Sequence, residues 1–152
     1  MRNIYQIARE GAGITQERAA ELIGLSVESI RSYESEKRVP ADDTVIKMVD
    51  IYNANYLAYQ HLKYKTQVGN RVLPEVEEMP LSEAALRMIH ELNDCMNYQA
   101  SIVEIAMDGK VDESEREDWL EVRQRCKSLC RAIFALQFSK EGEDLDGESS
   151  SR

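Results

Sequence analysis

Four residues at fixed spacing constrain this chain most: Ala20, Gly24, Ile30 and Tyr33. A small residue before a glycine, with two apolar residues after it, suits two short helices that cross steeply over a tight turn. At such a crossing we expect room for only a methyl group at Ala20 and for no side chain at Gly24, where the turn also needs a positive φ. The pattern predicts a unit of short, packed helices near the N-terminus.

Capping residues place the helix ends around this turn. Thr15 can accept hydrogen bonds from the open N–H groups of a helix that begins at Gln16, and Ser26 can do the same for the next helix. That second helix then has an outer face made of four residues: Val27, Glu28, Arg31 and Ser32.

These residues resemble the phage repressor and Cro family of helix-turn-helix proteins, the xenobiotic-response-element-like regulators. Further matches in the same register are Arg9, Glu34 and the run Lys37-Arg38-Val39-Pro40 before a fourth helix. The likeness covers about residues 2–60 and implies a five-helix, lambda-repressor-like domain over residues 1–65. One departure is Glu36, where such proteins usually have glycine, so we expect a strained or differently shaped turn there.

The resemblance implies that the second motif helix enters the major groove of double-stranded DNA. The residues that would then contact bases are Val27, Glu28 and Ser32. Val27 would contact a thymine methyl group, and Glu28 would accept a hydrogen bond from a cytosine amine. Four residues would contact phosphates and set the register without reading sequence: Gln16, Arg31, Lys37 and Arg38.

Residues 81–140 carry two apolar repeats whose spacing alternates between three and four, as in a coiled-coil seam. The first repeat runs Leu81, Ala85, Met88, Leu92, Cys95, Gln99, Ile102, Ala106, and the second runs Trp119, Val122, Cys126, Leu129, Ile133, Leu136. Asp108-Gly109 ends the first helix, and Asp112 with Glu115 resembles a capping box for the second. The pattern predicts an antiparallel hairpin of two long helices, with Cys95 opposite Cys126 and Leu92 opposite Leu129.

Apolar residues also flank both seams, and two helices alone cannot bury so wide a face. We therefore expect a homodimer in which two hairpins form a four-helix bundle. The predicted dimerisation residues are Ile89, Met96, Val103, Cys130, Phe134 and Phe138. The alternative is that this flank packs against the chain's own connector and residues 54–65.

No run of residues alternates at period 2, so strands are not expected and the chain is predicted to be all-α. Composition predicts a connector at residues 66–80 and a disordered acidic tail at residues 141–152. Residues 1–65 carry as many Lys and Arg as Asp and Glu, so the whole excess of nine negative charges lies in residues 66–152. A neutral N-terminal unit can still turn a local basic edge toward DNA.

Several classes of protein are not expected. No apolar run is long enough for a membrane span, and the charged residues near Met1 leave no room for a secretory signal. Three cysteines make no disulfide framework and fit a reducing cytoplasm. They lie on or beside the seams as small apolar residues, so no metal site and no cofactor are expected. No nucleophile–base pairing indicates a catalytic residue.

The sequence thus predicts a transcriptional regulator that binds a palindromic operator as a homodimer. One alternative is a protein-interaction module, such as an antitoxin or an anti-repressor, built on the same helices. Another is a regulator with a ligand pocket between hairpin and connector, whose small-molecule effector is unknown from sequence.

Overall fold

The computed structural model describes residues 3–140, which fold into helices and contain no β-strand. The all-α class is therefore confirmed for this part of the chain. The chain divides into two compact units between Leu73 and Pro74. The tail predicted at residues 141–152 lies outside the described residues. In chain order the helices are α1 (Ile4–Gly11), α2 (Gln16–Ile23), α3 (Val27–Glu34), α4 (Asp42–Tyr52), α5 (Asn55–Lys65), α6 (Gln67–Val72), α7 (Leu81–Met96), α8 (Gln99–Asp108) and α9 (Arg116–Gln137).

Helices α1 to α5 pack around one apolar core in the first unit. Its largest fully buried side chains come from four of these helices: Tyr5, Ile30, Met48 and Leu57. Ala19 and Ala20 lie in the same core, where their methyl groups let α2 approach its neighbours closely. The five helices implied by the resemblance are all present.

The turn between α2 and α3 has the predicted positive φ at Gly24, but the predicted lack of space for a side chain is absent. Gly24 has φ 79°, and the N–H groups of Gly24 and Leu25 both donate to the carbonyl oxygen of Ala20, at 3.0 and 2.9 Å. However, a Cβ atom built at Gly24 would have no neighbour within 4 Å. The expectation that no side chain fits there is wrong, because it is the left-handed backbone alone that favours glycine.

Both predicted N-caps of the motif are confirmed. The Thr15 hydroxyl accepts from the N–H of Arg18 at 3.2 Å, and the Ser26 hydroxyl accepts from the N–H of Ser29 at 3.1 Å. These bonds fix where α2 and α3 begin, since each satisfies an N–H group that the helix itself leaves open.

A hydrogen-bonded triad joins α1, α4 and α5, with Tyr5 and His61 buried and Asp42 at the surface. The Tyr5 hydroxyl lies 2.8 Å from Nδ1 of His61, and Nε2 of His61 lies 3.1 Å from the Asp42 carboxylate. A carboxylate can only accept, so Nε2 of His61 donates to Asp42, and the Tyr5 hydroxyl can donate to Nδ1. Burial raises the pKa of Tyr5 above its ordinary value, which keeps this donor protonated.

The segment predicted as a connector contains α6, which packs tightly on α5. Gly69 faces the backbone carbonyl of Leu62 so closely that any Cβ atom would collide with it. The buried Lys63 ammonium donates to the carbonyl oxygens of Asn70 and Leu73 at 2.9 and 2.7 Å. Lys63 thus donates to carbonyl groups at the C-terminal end of α6, where no following helical turn supplies N–H donors.

The second unit is a hairpin of α7 and α8 against α9, but its first arm is interrupted. The sequence predicted one helix up to Asp108, whereas the chain leaves the helical path at Asn97 and Tyr98. The Asn97 N–H is shared among the carbonyls of the preceding turn. Arg125 of α9 holds the break in place, with its guanidinium 3.2 Å from Asp94 and 5.7 Å from the centre of the Tyr98 ring.

The seam of this hairpin differs from the predicted one in part. Cys95 lies close to Cys126 across it, as the predicted register requires, and burial together with this neighbour raises the pKa of Cys126. The most buried positions are Val122, which was predicted in the seam, and three alanines that were not: Ala84, Ala132 and Ala135. Leu92 and Ile133, predicted inside the seam, remain 44% and 48% exposed. Small residues let the helices approach closely, and Ile133, the residue after Ala132, is left outside.

The turn between α8 and α9 ends α8 as predicted, but the predicted capping box lies before α9 and does not cap it, because α9 begins at Arg116 and its N-cap residue is Glu115. Gly109 ends α8 with φ 69°. The N–H of Asp112 donates to the Glu115 carboxylate, and the N–H of Glu115 donates back to the Asp112 carboxylate, both at 3.1 Å. The hydrogen bond from the Ser114 side chain, together with those from the N–H groups of Glu115 and Ser114, lowers the pKa of Asp112.

Replacing Gly24 by alanine tests the conformational origin of the turn. We expect G24A to lower the free energy of unfolding by about 1–2 kcal/mol, because a left-handed non-glycine residue costs that much. The control is G11A, since Gly11 has an ordinary φ and equally open surroundings. G11A should be neutral or slightly stabilising in urea unfolding. Equal effects of the two changes would contradict this account.

Candidate nucleic-acid interface

Helix α3 buries one side and leaves the other open. Ile30 and Tyr33 are in the core, whereas Glu28 and Arg31 are exposed on the opposite side. The separation follows from helical periodicity, because residues three or four apart share a face. Within the first unit, α3 therefore presents a charged surface near its N-terminal half.

A chain of hydrogen bonds runs from the interior of the unit to this surface. Arg9 donates to both oxygens of Glu34, at 2.6 and 3.0 Å, and to the carbonyl of Ile14. The two ionised side chains are only 8% and 6% exposed, so they neutralise each other in a bidentate pair. The hydrogen bond to Glu34 raises the pKa of Arg9 above its ordinary value.

Gln16 carries this chain outward. Its amide nitrogen donates to Glu34 at 2.8 Å, so its amide oxygen is left to accept from Nε of Arg31 at 3.2 Å. The buried carboxylate thus sets which way the Gln16 amide is turned. Arg31 is held at one nitrogen while the outer part of its guanidinium stays at the surface, where it lies 3.7 Å from Glu17. The structure brings together Gln16 and Arg31, two of the four predicted phosphate contacts.

The other two predicted phosphate contacts, Lys37 and Arg38, lie in the exposed turn after α3. The Arg38 guanidinium lies 5.7 Å from the centre of the Tyr33 ring, so its stem rests on the unit while its charge faces outward.

The turn itself depends on Glu36, which has φ 61°. This is the left-handed conformation for which glycine was expected. The Glu36 carboxylate accepts from the Lys65 ammonium at 2.7 Å, and this hydrogen bond lowers the pKa of Glu36.

The predicted base-contacting residues differ in accessibility. Glu28 is exposed in the first turn of α3. Val27 is half-buried and packs against the core, so only part of its side chain is available. Ser32 is half-buried, and its carbonyl accepts from the N–H of Arg38 at 3.2 Å. Their contacts with bases remain predictions.

The six predicted dimerisation residues differ in exposure. Ile89, Met96 and Val103 each follow a half-buried seam residue by one position, as does Cys130 on α9. In an antiparallel pair, such positions on both arms lie on the same side. Phe134 instead precedes the buried Ala135, and its ring stacks on Phe138 with 6.1 Å between centres. Both phenylalanines are half-buried, and Phe134 lies one helical turn after Cys130 on α9.

We call the first group, with its exposed neighbours, the hairpin face. Its side chains other than Cys130 are 44–55% exposed. The face consists of Ile89, Leu92, Met96, Val103, Cys130 and Ile133.

Sequence reasoning missed Glu17, and it did not assign Glu34 or Lys65 to the site. Glu34 was noticed only as a family match, and its bond to Gln16 depends on how α2 crosses α3. The Glu17–Arg31 pair likewise joins residues 14 positions apart on two helices. No periodicity within one helix signals such contacts.

Between residues 3 and 140 there is no cluster of three or more metal-ligating side chains. No helix in that stretch is both long enough and apolar enough to cross a membrane.

Residues 6–57 match the family model described as helix-turn-helix. The match spans α1 to α4 and the beginning of α5, the helices that build the geometry above. The first unit therefore contains a helix-turn-helix domain, as the resemblance to phage repressor and Cro proteins implied.

The HTH-type transcriptional regulator ImmR of Bacillus subtilis (strain 168) is 31% identical to this chain over 87 residues. The aligned part covers 57% of this chain and 63% of that regulator, so less than two thirds of the relative is represented. No solved structure matches the chain.

The left-handed turn at Glu36 gives a prediction about stability. We expect E36G to be more stable than E36A by about 1 kcal/mol, because both lose the bond to Lys65 and only glycine relieves the strain. The neighbouring Ser35 has φ −88° and provides the control. There the order should reverse, with S35A more stable than S35G in thermal unfolding. The same order at both positions would contradict the assignment of strain to Glu36.

Proposed function

We propose that this chain is a sequence-specific DNA-binding transcriptional regulator that recognises a palindromic operator as a homodimer. In this proposal α3 enters the major groove, Glu28 and Ser32 contact bases together with the exposed part of Val27, and the protein acts by binding rather than by catalysis. The helix-turn-helix match and the printed description of the Bacillus relative support this function.

One observation carries the proposal: the hydrogen-bonded chain that links Arg9, Glu34, Gln16 and Arg31. It fixes α2 against α3 through a buried carboxylate and holds one exposed guanidinium beside the outer face of α3. A phosphate contact made by a side chain that is already oriented loses less conformational freedom on binding. Together with Lys37 and Arg38, Arg31 supplies the local positive charge that a neutral unit needs for DNA.

Dimerisation is proposed through the hairpin face. Four apolar side chains of α7 and α8 and one of α9 are left about half exposed, which is typical of a surface that pairs with another. A second copy related by a two-fold axis would cover the same residues on both hairpins and form a four-helix bundle. Two helix-turn-helix domains would then be available for two half-sites.

Selection of bound oligonucleotides from a random pool tests the whole proposal. We expect a two-fold-symmetric consensus whose half-sites lie about one helical turn of DNA apart, because each domain reads one half-site. A consensus without symmetry would contradict the dimeric mode of recognition. Failure to enrich any sequence would contradict DNA recognition itself.

The oligomeric state tests the hairpin face separately. We expect the double substitution I89E/M96E to weaken dimerisation about a hundredfold or more, because an unpaired carboxylate is costly to bury. The control is L86E, since Leu86 is 70% exposed and faces away from α9. Sedimentation equilibrium should show L86E as a dimer and I89E/M96E as a monomer. A wild-type monomer, or a dimer in both variants, would exclude this face.

A further inference from the structure

Glu17 lies beside the outer nitrogens of Arg31. Gln16 holds Nε of Arg31 at 3.2 Å, so the guanidinium can present only its outer nitrogens to a further partner. Nη2 is 3.7 Å from the Glu17 carboxylate. Both side chains are accessible, at 67% for Glu17 and 55% for Arg31, so the pair can open without disturbing the core.

We propose that Glu17 is an internal competitor for the phosphate that Arg31 binds, and that it lowers the affinity of the first unit for the DNA backbone. The inference rests on the proposed function and adds a residue to its mechanism. A carboxylate and a phosphate oxygen are both acceptors for the same N–H groups of arginine. A phosphate that binds the N–H groups facing Glu17 must therefore displace that carboxylate, whose nearest oxygen lies 3.7 Å from Nη2.

The size of the effect follows from the exposure of the pair. When a binding-competent state is only partly populated, the apparent affinity falls by the populated fraction. Accessible ion pairs are weak, so the expected penalty is up to about fivefold for one domain on one half-site. Glu17 would thus reduce DNA binding without preventing it. The hydrogen bonds from Glu34 to Gln16 and from Gln16 to Arg31 would keep Arg31 oriented whether it faces Glu17 or a phosphate.

The competition is tested by measuring how tightly the E17Q variant of the chain binds a DNA duplex of arbitrary mixed sequence at low salt. We expect E17Q to bind up to about fivefold more tightly per domain than wild type. The matched control is E21Q. Glu21 lies one turn further along α2 and is 70% exposed, and its ion-pair partner is Arg18 at 2.7 Å rather than Arg31. E21Q measures the effect of removing a negative charge from the same helix.

A double-mutant cycle with R31Q separates competition from general charge repulsion. If Glu17 acts through Arg31, the gain from E17Q should shrink in the R31Q background to the gain seen with E21Q. An equal gain in both backgrounds would overturn the inference, and so would weaker binding by E17Q, which would make Glu17 a support for Arg31. Wild-type protein that binds no duplex would overturn the proposed function, whereas binding without coupling would overturn only this inference.

Discussion

The bidentate pair between Arg9 and Glu34 organises the helix-turn-helix domain. Two charges that are each more than nine-tenths buried must satisfy one another, and removal of either partner from such a pair typically costs about 3–5 kcal/mol. The pair joins α1 to α3, and the further bond to Gln16 adds α2. One buried carboxylate therefore sets the relative positions of three helices and the orientation of the amide that holds Arg31. The surface of α3 depends on an interaction inside the domain.

Most of the fold could be predicted from local sequence rules. The caps at Thr15 and Ser26, the left-handed Gly24 and the reciprocal hydrogen bonds of Asp112 each depend on a few neighbouring residues. The departure at Glu36 was also visible in the sequence, and the backbone there is left-handed without a glycine. These caps and turns were predictable because each is determined by hydrogen bonds between residues a few positions apart in the sequence.

The remaining features depend on contacts between distant residues. The interruption at Tyr98 is held by Arg125, and the alanines of the hairpin displace larger residues from the seam. A heptad pattern says which residues are apolar, but the choice between neighbouring positions depends on how closely two helices approach. For the candidate site, the residue types were foreseeable, whereas the pairing of Arg31 with Gln16 and Glu17 required the crossing angle of two helices.

The turn between α5 and α6 constrains the sequence at two positions, Thr66 and Gly69. Gly69 stands against the main chain of α5, which cannot yield as a flexible side chain would. The Thr66 hydroxyl accepts from the N–H of Gly69 at 2.9 Å and donates to the Leu62 carbonyl at 2.7 Å. A threonine followed three places later by an obligatory glycine is therefore a fingerprint of this turn. Chains that have the helix-turn-helix but lack the fingerprint must leave the domain by another route.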